Sequence, residues 1–189
     1  MNRSKPTLPP RSQRCTDNSA DEVILVDAHD RGTGTIAKLE AHRQGLRHRA
    51  LSVIVRDRHQ RLLLQQRAPG KYHSGGLWTN TCCSHPRPGE ETIDAAHRRL
   101  GEEMGFTCPL TLLFSTHYRA EVSNGLIEDE IVHVFGGHFD GVPDPDPLEV
   151  SNWCWKSAEE VARDVDARPH LYTVWFREYR RRFWPAIVG

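Results

Sequence analysis

Apolar residues occur along this chain in short runs that alternate with segments of helical spacing. The runs are rich in Val, Ile and Leu and are bounded by polar residues, Gly or Pro, which is typical of strands. They predict strands at residues 22–27, 50–56, 62–67, 110–118 and 130–139. The polar segment 57–60 predicts a turn that joins the second and third strands as a hairpin.

Between residues 91 and 104 the spacing of apolar side chains becomes that of a helix. The residues that recur at this spacing are Ile93, Ala96, Leu100 and Met104. Gly105 follows at the position where helices commonly end in the left-handed conformation. Two further helices are predicted near residues 157–164 and 171–184, after a Pro/Asp turn at 143–147.

Strands mixed with helices predict a single α/β domain with helices layered on a sheet. The chain has 189 residues, enough for one ordinary domain and too few for two. Residues 21–189 form this predicted domain. Residues 1–20 are rich in Pro, Ser, Arg and Asn and have almost nothing to bury, so they predict a disordered N-terminal tail.

The charge balance and the hydropathy pattern exclude two classes of partner. Lys and Arg number 25, as do Asp and Glu, which argues against nucleic-acid binding because that affinity rests on an excess of basic residues. No apolar run approaches the ~18 residues of a membrane helix. No apolar stretch follows the positively charged start, so a secretory signal is not expected either.

Cysteine and histidine usage points to a reduced compartment and to a metal. The five cysteines are an odd number, and two of them form the sequential pair Cys82 and Cys83, which rarely cross-links. A cytoplasmic protein is therefore expected. Eleven histidines are more than a chain of this size usually carries, so a metal site is expected as well.

The helix predicted at 91–104 belongs to a longer pattern. This pattern runs from SHPRPGEE at residues 84–91 to RRLGEEMGF at residues 98–106 and resembles the Nudix box, a loop–helix–loop that holds a diphosphate through a divalent cation. Carboxylates on one helix face suit Mg²⁺. The resemblance implies an α/β/α sandwich around a mixed sheet. A surface helix with pairs Arg98–Glu102 and Arg99–Glu103 would explain the helix alone equally well.

Two positions depart from the usual Nudix box. Ser84 stands in place of the first glycine, and Arg99 stands in place of the glutamate that normally follows the arginine of the box. Nudix hydrolases use that carboxylate cluster to gather metal and activate water, and a cation within it opposes a metal-hydroxide nucleophile. We therefore interpret the segment as adapted to hold a diphosphate without cleaving it.

Three further segments resemble the type I isopentenyl-diphosphate isomerases. They are WTNTCCSHP at residues 78–86, Tyr118-Arg119-Ala120 followed by Glu128-Asp129-Glu130, and KLEAH at residues 38–42 with His48 downstream. Their order and spacing around the box span most of residues 22–175. The resemblance implies that the chain converts isopentenyl diphosphate to dimethylallyl diphosphate.

The chemistry of this conversion explains the residue types. Isomerising an unactivated alkene requires one proton to be delivered and another removed, so an acid and a base must lie on opposite sides of a flat substrate. The resemblance assigns these roles to Cys83 and Glu130. It gives Tyr118 a hydrogen bond to Glu130 that helps to move the proton, and it gives Trp175 the stabilisation of carbocation-like charge. The alternatives are a buried hydrophobic Cys83 and a Tyr118 that only packs in a strand.

The resemblance also implies metal and diphosphate ligands. One ion, Mn²⁺ or Zn²⁺, would be held by imidazoles and carboxylates, those of His42, His48, His85, Glu128 and Glu130. Glu103 would hold the Mg²⁺ that arrives with the substrate, with the backbone carbonyl of Cys83 as a further ligand. The diphosphate would be bound by basic residues, which are Lys38, Arg67, Lys71 and Arg99.

Two other functions remain open on the sequence. A Nudix hydrolase of a nucleoside diphosphate derivative would share the fold, although Arg99 and the Cys83–Glu130 pair argue against it. A non-catalytic sensor that binds a diphosphate ligand would need neither an acid nor a base. For the isomerase, the expected partner is a small-molecule substrate, and the expected assembly is a monomer or a weak homodimer.

Overall fold

A computed structural model describes residues 21–189, so the tail predicted at residues 1–20 lies outside the described residues. Within this range the strands are β1 (Glu22–Val26), β2 (Gly32–Ala37), β3 (His48–Arg56), β4 (Leu62–Arg67), β5 (Trp78–Thr79), β6 (Cys82–Ser84), β7 (Leu110–Glu121), β8 (Ile127–His138) and β9 (Val150–Lys156). The helices are α1 (Lys38–Gln44), α2 (Thr92–Met104), α3 (Ala158–Ala167), α4 (Val174–Arg182) and α5 (Trp184–Val188). All five predicted strands and all three predicted helices are confirmed, with shifted ends.

Six elements have no counterpart in the sequence prediction, namely β2, β5, β6, β9, α1 and α5. β2 has the sequence GTGTIA and is almost entirely exposed, so it carries no apolar alternation. β5 and β6 have two and three residues, too few for any periodicity, and pairing with β4 and β3 holds them in place. For β2, β5 and β6, exposure or short length therefore explains why the sequence did not predict them.

The sheet is mixed, as predicted, but the predicted hairpin opens directly beyond its turn. β3 and β4 pair only through Arg56 and Leu62. Beyond that pair, β3 runs parallel to β8 and antiparallel to β6, whereas β4 pairs with β5 and β9. The separation of β3 from β4 brings β6 and β8 to the two sides of β3.

Side chains that alternate along β3 contribute to two hydrophobic cores on opposite faces of the sheet. Ala50 and Ile54 pack in a core with residues of α3, α4 and α5. Leu51, Val53 and Val55 pack in a second core with residues of α2. Helices therefore cover both faces, which confirms the predicted α/β/α layering. In the range 21–189 no helix combines the length and the apolar composition that crossing a membrane requires.

α2 ends at the glycine that the sequence indicates. Gly105 adopts φ 75°, and its N–H donates to the carbonyl of Gly101. A Cβ at this position would lie 2.2 Å from the carbonyl oxygen of Asp144. Both the left-handed backbone and the close approach of the 143–147 turn therefore require glycine here.

Candidate active site

One pocket of about 410 Å³ brings most of the candidate residues together. The predicted residues that line it are Arg67, Cys83, His85, Tyr118, Glu128, Glu130 and Trp175. It is also lined by residues that the sequence analysis did not single out, including Tyr72, His73 and Tyr179. Acid, base and aromatic candidates thus share one cavity.

Sheet pairing fixes the position of Glu130 within this cavity. On β3 the residue in register with Glu130 is His48, and on β7 it is Tyr118. Residues in register on neighbouring strands project from the same face, and so do residues two apart on one strand. The sheet therefore places Glu128 and Glu130 of β8 between a histidine and a tyrosine.

Backbone carbonyls orient two of the histidines. His42 Nδ1 donates to the carbonyl of Lys38 and His48 Nδ1 donates to the carbonyl of Leu46, each at 2.8 Å. Because a carbonyl only accepts, Nδ1 carries a proton in both rings, which leaves Nε2 as the ring atom that can bind a metal. His85 Nε2 lies 3.2 Å from His48 Nε2 and 3.0 Å from Glu130 Oε1. This convergence of ring nitrogens and a carboxylate oxygen fits a borderline divalent ion.

The donor atoms fall into two overlapping groups, and within each group all donors lie within 4.8 Å of one another. The first group is His42, His48, His85 and Glu130, and the second is His42, His73 and Glu128. The structure thus brings all five expected ligands into one region, but it groups Glu128 with His73 rather than with His48 and His85. His73 lies in a glycine-rich loop, where no periodic signal marks it.

Burial and neighbouring charges drive the two carboxylates of β8 in opposite directions. Burial, reinforced by the charge of Glu130, raises the pKa of Glu128 well above its usual value. At Glu130 burial also opposes ionisation, but contacts with His48 and His85 outweigh it and hold the pKa well below its usual value. Tyr118 Oη lies 2.8 Å from Glu130 Oε2 and 3.0 Å from Glu128 Oε2. The expected hydrogen bond between Tyr118 and Glu130 is present.

Cys83 faces the pocket, whereas Cys82 packs in the core beneath α2. Cys83 Sγ accepts a hydrogen bond from Trp175 Nε1 at 3.1 Å and donates one to Asn80 Oδ1 at 3.2 Å. Ser52 Oγ lies 3.4 Å away. Burial raises the pKa of the Cys83 thiol to about 11 although the Ser52 hydroxyl opposes this shift. The thiol therefore keeps its proton at neutral pH.

Trp175 belongs both to the pocket and to a hydrophobic core. Only 3% of its surface is exposed, and it packs in the core formed with α3 and α5. The guanidinium of Arg67 lies 5.4 Å from the centre of its ring, and the ring of His73 approaches it edge-on at 6.0 Å. The remaining tryptophans are partly buried against the two cores; they are Trp78, Trp153, Trp155 and Trp184.

A second pocket of about 310 Å³ adjoins the first, because Ser84 and His85 line both. Its other lining residues include Lys38, Arg87, Arg98 and Arg99. Burial, with the nearby charge of Lys71, lowers the pKa of Lys38 to about 7. A basic compartment thus lies beside the pocket that holds Cys83 and Glu130.

Arg99 is the centre of a buried charge cluster on α2. Its guanidinium lies 2.7 Å from Glu103 Oε1, 2.8 Å from Glu102 Oε2 and 3.1 Å from Glu149 Oε1. Lys71 Nζ lies 2.6 Å from Glu149 Oε2. The exposed-helix interpretation is wrong for Arg99 and Glu103, which are only 5% and 3% exposed. Glu149, which joins two of the predicted diphosphate ligands, was missed because it lies in a turn far from the motif.

The Glu103 carboxylate is already engaged through both oxygens. Oε1 accepts from Arg99 and Oε2 accepts from Gln65 Nε2 at 3.1 Å. Among residues 21–189, the groups of converging His, Cys, Asp and Glu donors do not include Glu103. The residues around Glu103 therefore do not form a preorganised Mg²⁺ site.

Comparison with known proteins identifies the family. Residues 46–176 match the NUDIX domain family. The chain is 55% identical over 155 residues to Isopentenyl-diphosphate Delta-isomerase 2 of Aromatoleum aromaticum, an alignment that covers 82% of each chain. The chain belongs to the isopentenyl-diphosphate isomerases of the Nudix superfamily. It is also 53% identical over 156 residues to the isomerase of Pectobacterium atrosepticum, covering 82% of this chain and 87% of that family member.

Solved structures share the fold of this isomerase-family chain at low sequence identity. DR0079 from Deinococcus radiodurans aligns with a TM-score of 0.70 at 18% identity, over 86% of this chain and 98% of its own. The MutT protein from Methanosarcina mazei aligns with a TM-score of 0.60 at 18% identity, over 72% and 92% respectively. These similarities confirm the Nudix-type fold.

Proposed function

We propose that this chain converts isopentenyl diphosphate to dimethylallyl diphosphate, a step of isoprenoid biosynthesis, by adding one proton and removing another. Family membership supports this function. The observation that carries the mechanism is a single pocket with two groups in complementary protonation states. Cys83 keeps its proton, because burial raises its pKa to about 11, and Glu130 is held ionised beside the histidines.

In this mechanism Cys83 is the acid. Its S–H turns from Asn80 to the terminal methylene carbon of the substrate and delivers its proton there. The thiolate that remains accepts hydrogen bonds from Trp175 Nε1 and Ser52 Oγ, which already contact the sulfur. These donors lower the cost of the charge that appears on sulfur.

Glu130 is the base that removes the second proton. Oε1 points towards the histidines and Oε2 towards Tyr118, so the two oxygens have separate partners. Oε2 takes the proton from the substrate, and the Tyr118 hydroxyl, 2.8 Å from Oε2, assists the transfer by hydrogen bonding. Trp175 stabilises the positive charge that develops between the two transfers, because an aromatic face attracts a cation without bonding to it.

We assign a divalent ion, Mn²⁺ or Zn²⁺, to the donors predicted from the sequence, which are His42, His48, His85, Glu128 and Glu130. When bound, it would fix the orientation of Glu130 and set its basicity. Lys38, Arg67, Lys71 and Arg99 are assigned to the diphosphate, for which the basic pocket beside His85 provides the room. Mg²⁺ carried by the substrate would reach Glu103 only if this carboxylate gave up a bond to Arg99 or Gln65. A cytoplasmic monomer or weak homodimer remains a prediction.

Isotope incorporation tests the two-base mechanism directly. In deuterated water the product should carry deuterium in the methyl group that was the terminal methylene. Cys83→Ala and Glu130→Gln should each lower kcat by about 10²–10⁴-fold. The controls Glu159→Gln and Cys154→Ala, which do not line the pocket, should not. Cys83→Ala should keep its metal affinity, whereas Glu130→Gln should lose part of it. A Cys83→Ala variant with wild-type turnover at saturating substrate and Mg²⁺ would refute the assignment of the acid.

The same reaction distinguishes the isomerase from a Nudix hydrolase. Because Arg99 neutralises the carboxylates that would gather metal for water activation, the diphosphate should remain intact. Release of phosphate or pyrophosphate at the rate of isomerisation would contradict this. Binding without any turnover would support the sensor instead.

A further inference from the structure

The two carboxylates of β8 each offer one oxygen to the histidine side of the pocket. Tyr118 Oη contacts Oε2 of both Glu128 and Glu130. The other oxygen of Glu130 faces His85 and His48, at 3.0 Å and 3.3 Å. With three imidazoles these two oxygens make five donors, one fewer than an octahedral ion accepts.

The Oε1 oxygen of Glu128 faces a fourth imidazole. His73 Nε2 lies 3.4 Å from this oxygen, and the His73 ring stacks on His42 at a centroid distance of 5.5 Å. His73 is 3% exposed and lines the catalytic pocket.

We infer that His73 is a sixth protein ligand of the metal ion assigned to the histidine cluster, which makes the donor set four imidazoles and two carboxylate oxygens. This inference rests on the proposed metal site and extends it to one residue more. The shared member of the two donor groups, His42, joins His73 and Glu128 to the remaining ligands.

Hydrogen bonds to neighbouring residues anchor the loop that carries His73, as is usual for loops that present a metal ligand. Ser74 N donates to Ser123 Oγ at 2.8 Å, and Asn124 Nδ2 donates to the carbonyl of Tyr72 at 2.8 Å. Arg67 Nη2 donates to the carbonyl of His73 at 3.2 Å. His73 Nδ1 lies 3.1 Å from Ser74 Oγ, which can accept a hydrogen bond from Nδ1–H. In that tautomer the lone pair is on Nε2. The ring is therefore anchored with Nε2 directed at Glu128.

A sixth donor from His73 has a consequence for the proton transfer by Glu130. If Glu130 had to supply two oxygens to complete six donors, Oε2 could not remain with Tyr118. With His73 in the sixth position, Glu130 binds through Oε1 alone, and Oε2 stays available for proton transfer. His73 would then separate the metal-binding oxygen of Glu130 from its catalytic oxygen.

The test is a titration of the full-length, metal-depleted protein with Mn²⁺. The electron paramagnetic resonance signal of free Mn²⁺ measures how much of the ion is bound. Water-proton relaxation counts the water molecules on the bound ion. We expect His73→Ala to weaken Mn²⁺ binding by about 10-fold or more and to add one bound water. The exposed His170→Ala should match the wild type, and thermal unfolding without metal verifies that each variant is folded.

Outcomes separate this inference from the proposed function. Unchanged affinity and water count in His73→Ala would overturn the sixth ligand. A weaker affinity with an unchanged water count would also overturn it, because His73 would then only orient Glu128. His48→Ala is the test of the metal site itself. If it bound Mn²⁺ like the wild type, the whole site would be wrong, whereas a defect in His48→Ala alone would refute only the role of His73.

Discussion

At the scale of single residues, Trp175 makes two kinds of interaction that different substitutions can remove separately. Its ring offers an aromatic face to the pocket, and its Nε1 donates to Cys83 Sγ at 3.1 Å. The guanidinium of Arg67 already lies 5.4 Å from the ring centre. The indole therefore contacts both Cys83, the proposed acid, and Arg67, a proposed ligand of the diphosphate.

Substitution of Trp175 should reveal both demands. Trp175→Phe keeps an aromatic face and loses the hydrogen bond to sulfur, so we expect a loss in kcat of about 10-fold, the equivalent of one such bond. Trp175→Ala also loses the cation–π contribution of about 2 kcal/mol, which is a further ~30-fold. Steady-state kinetics below the unfolding temperature of each variant measures this. Equal, small losses in both variants would leave Trp175 with a packing function only.

The site residues that the sequence identifies are those that lie in contiguous motifs. Cys83 and His85 are recognisable from their neighbours, and Glu128 and Glu130 from their spacing. Glu149 and His73 are not, because each lies in a turn or loop and reaches the site only through the fold. Their signals are three-dimensional: a carboxylate between Lys71 and Arg99, and an imidazole buried against another.

At the scale of elements, α2 carries a charge pattern whose meaning depends on which face is buried. Arg98 pairs with Glu90 and Glu102 at a partly exposed position. Arg99, one residue later, contacts Glu102, Glu103 and Glu149 and is only 5% exposed. These neighbouring arginines therefore contribute differently to the free energy of unfolding. Exposed ion pairs contribute little, whereas removing one partner of a buried pair is strongly destabilising.

Replacing these two arginines should separate the two environments. Arg99→Met leaves buried carboxylates without their cation, so we expect a loss of about 3–5 kcal/mol in the free energy of unfolding. The matched control Arg98→Met should lose about 1 kcal/mol or less. Millimolar Mg²⁺ should restore part of the stability of Arg99→Met, because freed carboxylates bind it. An Arg99→Met variant as stable as Arg98→Met, with no response to Mg²⁺, would show that the cluster has no structural weight.

The elements themselves were predictable in proportion to their length and burial. α2 and the long strands β3, β7 and β8 carry apolar periodicity and were found. α1, which supplies Lys38 and His42, has seven residues, and β6, which supplies Cys83, has three. The motif resemblance identified those residues although no periodicity identified their elements. Pairing with β3, not local propensity, determines how β6 folds, and α1 is too short to show a helical period.

At the scale of the whole molecule, burial of ionisable side chains at the site opposes folding, and burial of apolar side chains in the two cores favours it. Three imidazoles near the pocket have lowered pKa values because of burial: about 3 for His42, about 4 for His85 and about 2 for His73. A neutral imidazole is the form that binds a metal. The same burial that keeps these candidate ligands neutral therefore makes the stability of the metal-free protein depend on pH.

The direction of this dependence follows from the protons bound in each state. Unfolded histidines have pKa values near ~6.5, so below that pH the unfolded chain takes up protons that the folded one excludes, and stability falls. The raised pKa of Glu128 acts in the opposite direction and offsets one of these protons. The net loss should reach at most about 2.7 kcal/mol per pH unit between pH ~6.5 and ~4.5. Below that window Glu130 and Glu149, whose pKa values are lowered, add to the loss.

Urea unfolding of the full chain in EDTA, at several pH values from 7.5 to 4.5, measures this slope. Stability should be nearly constant down to pH ~6.5 and then fall steadily. His42→Gln should reduce the slope by about 1.4 kcal/mol per pH unit, since it removes one excluded proton, and the exposed His170→Gln should leave it unchanged. A flat profile between pH 6.5 and 4.5 would mean that these rings are already protonated in the folded protein. The inference that burial keeps these histidines neutral would then be wrong.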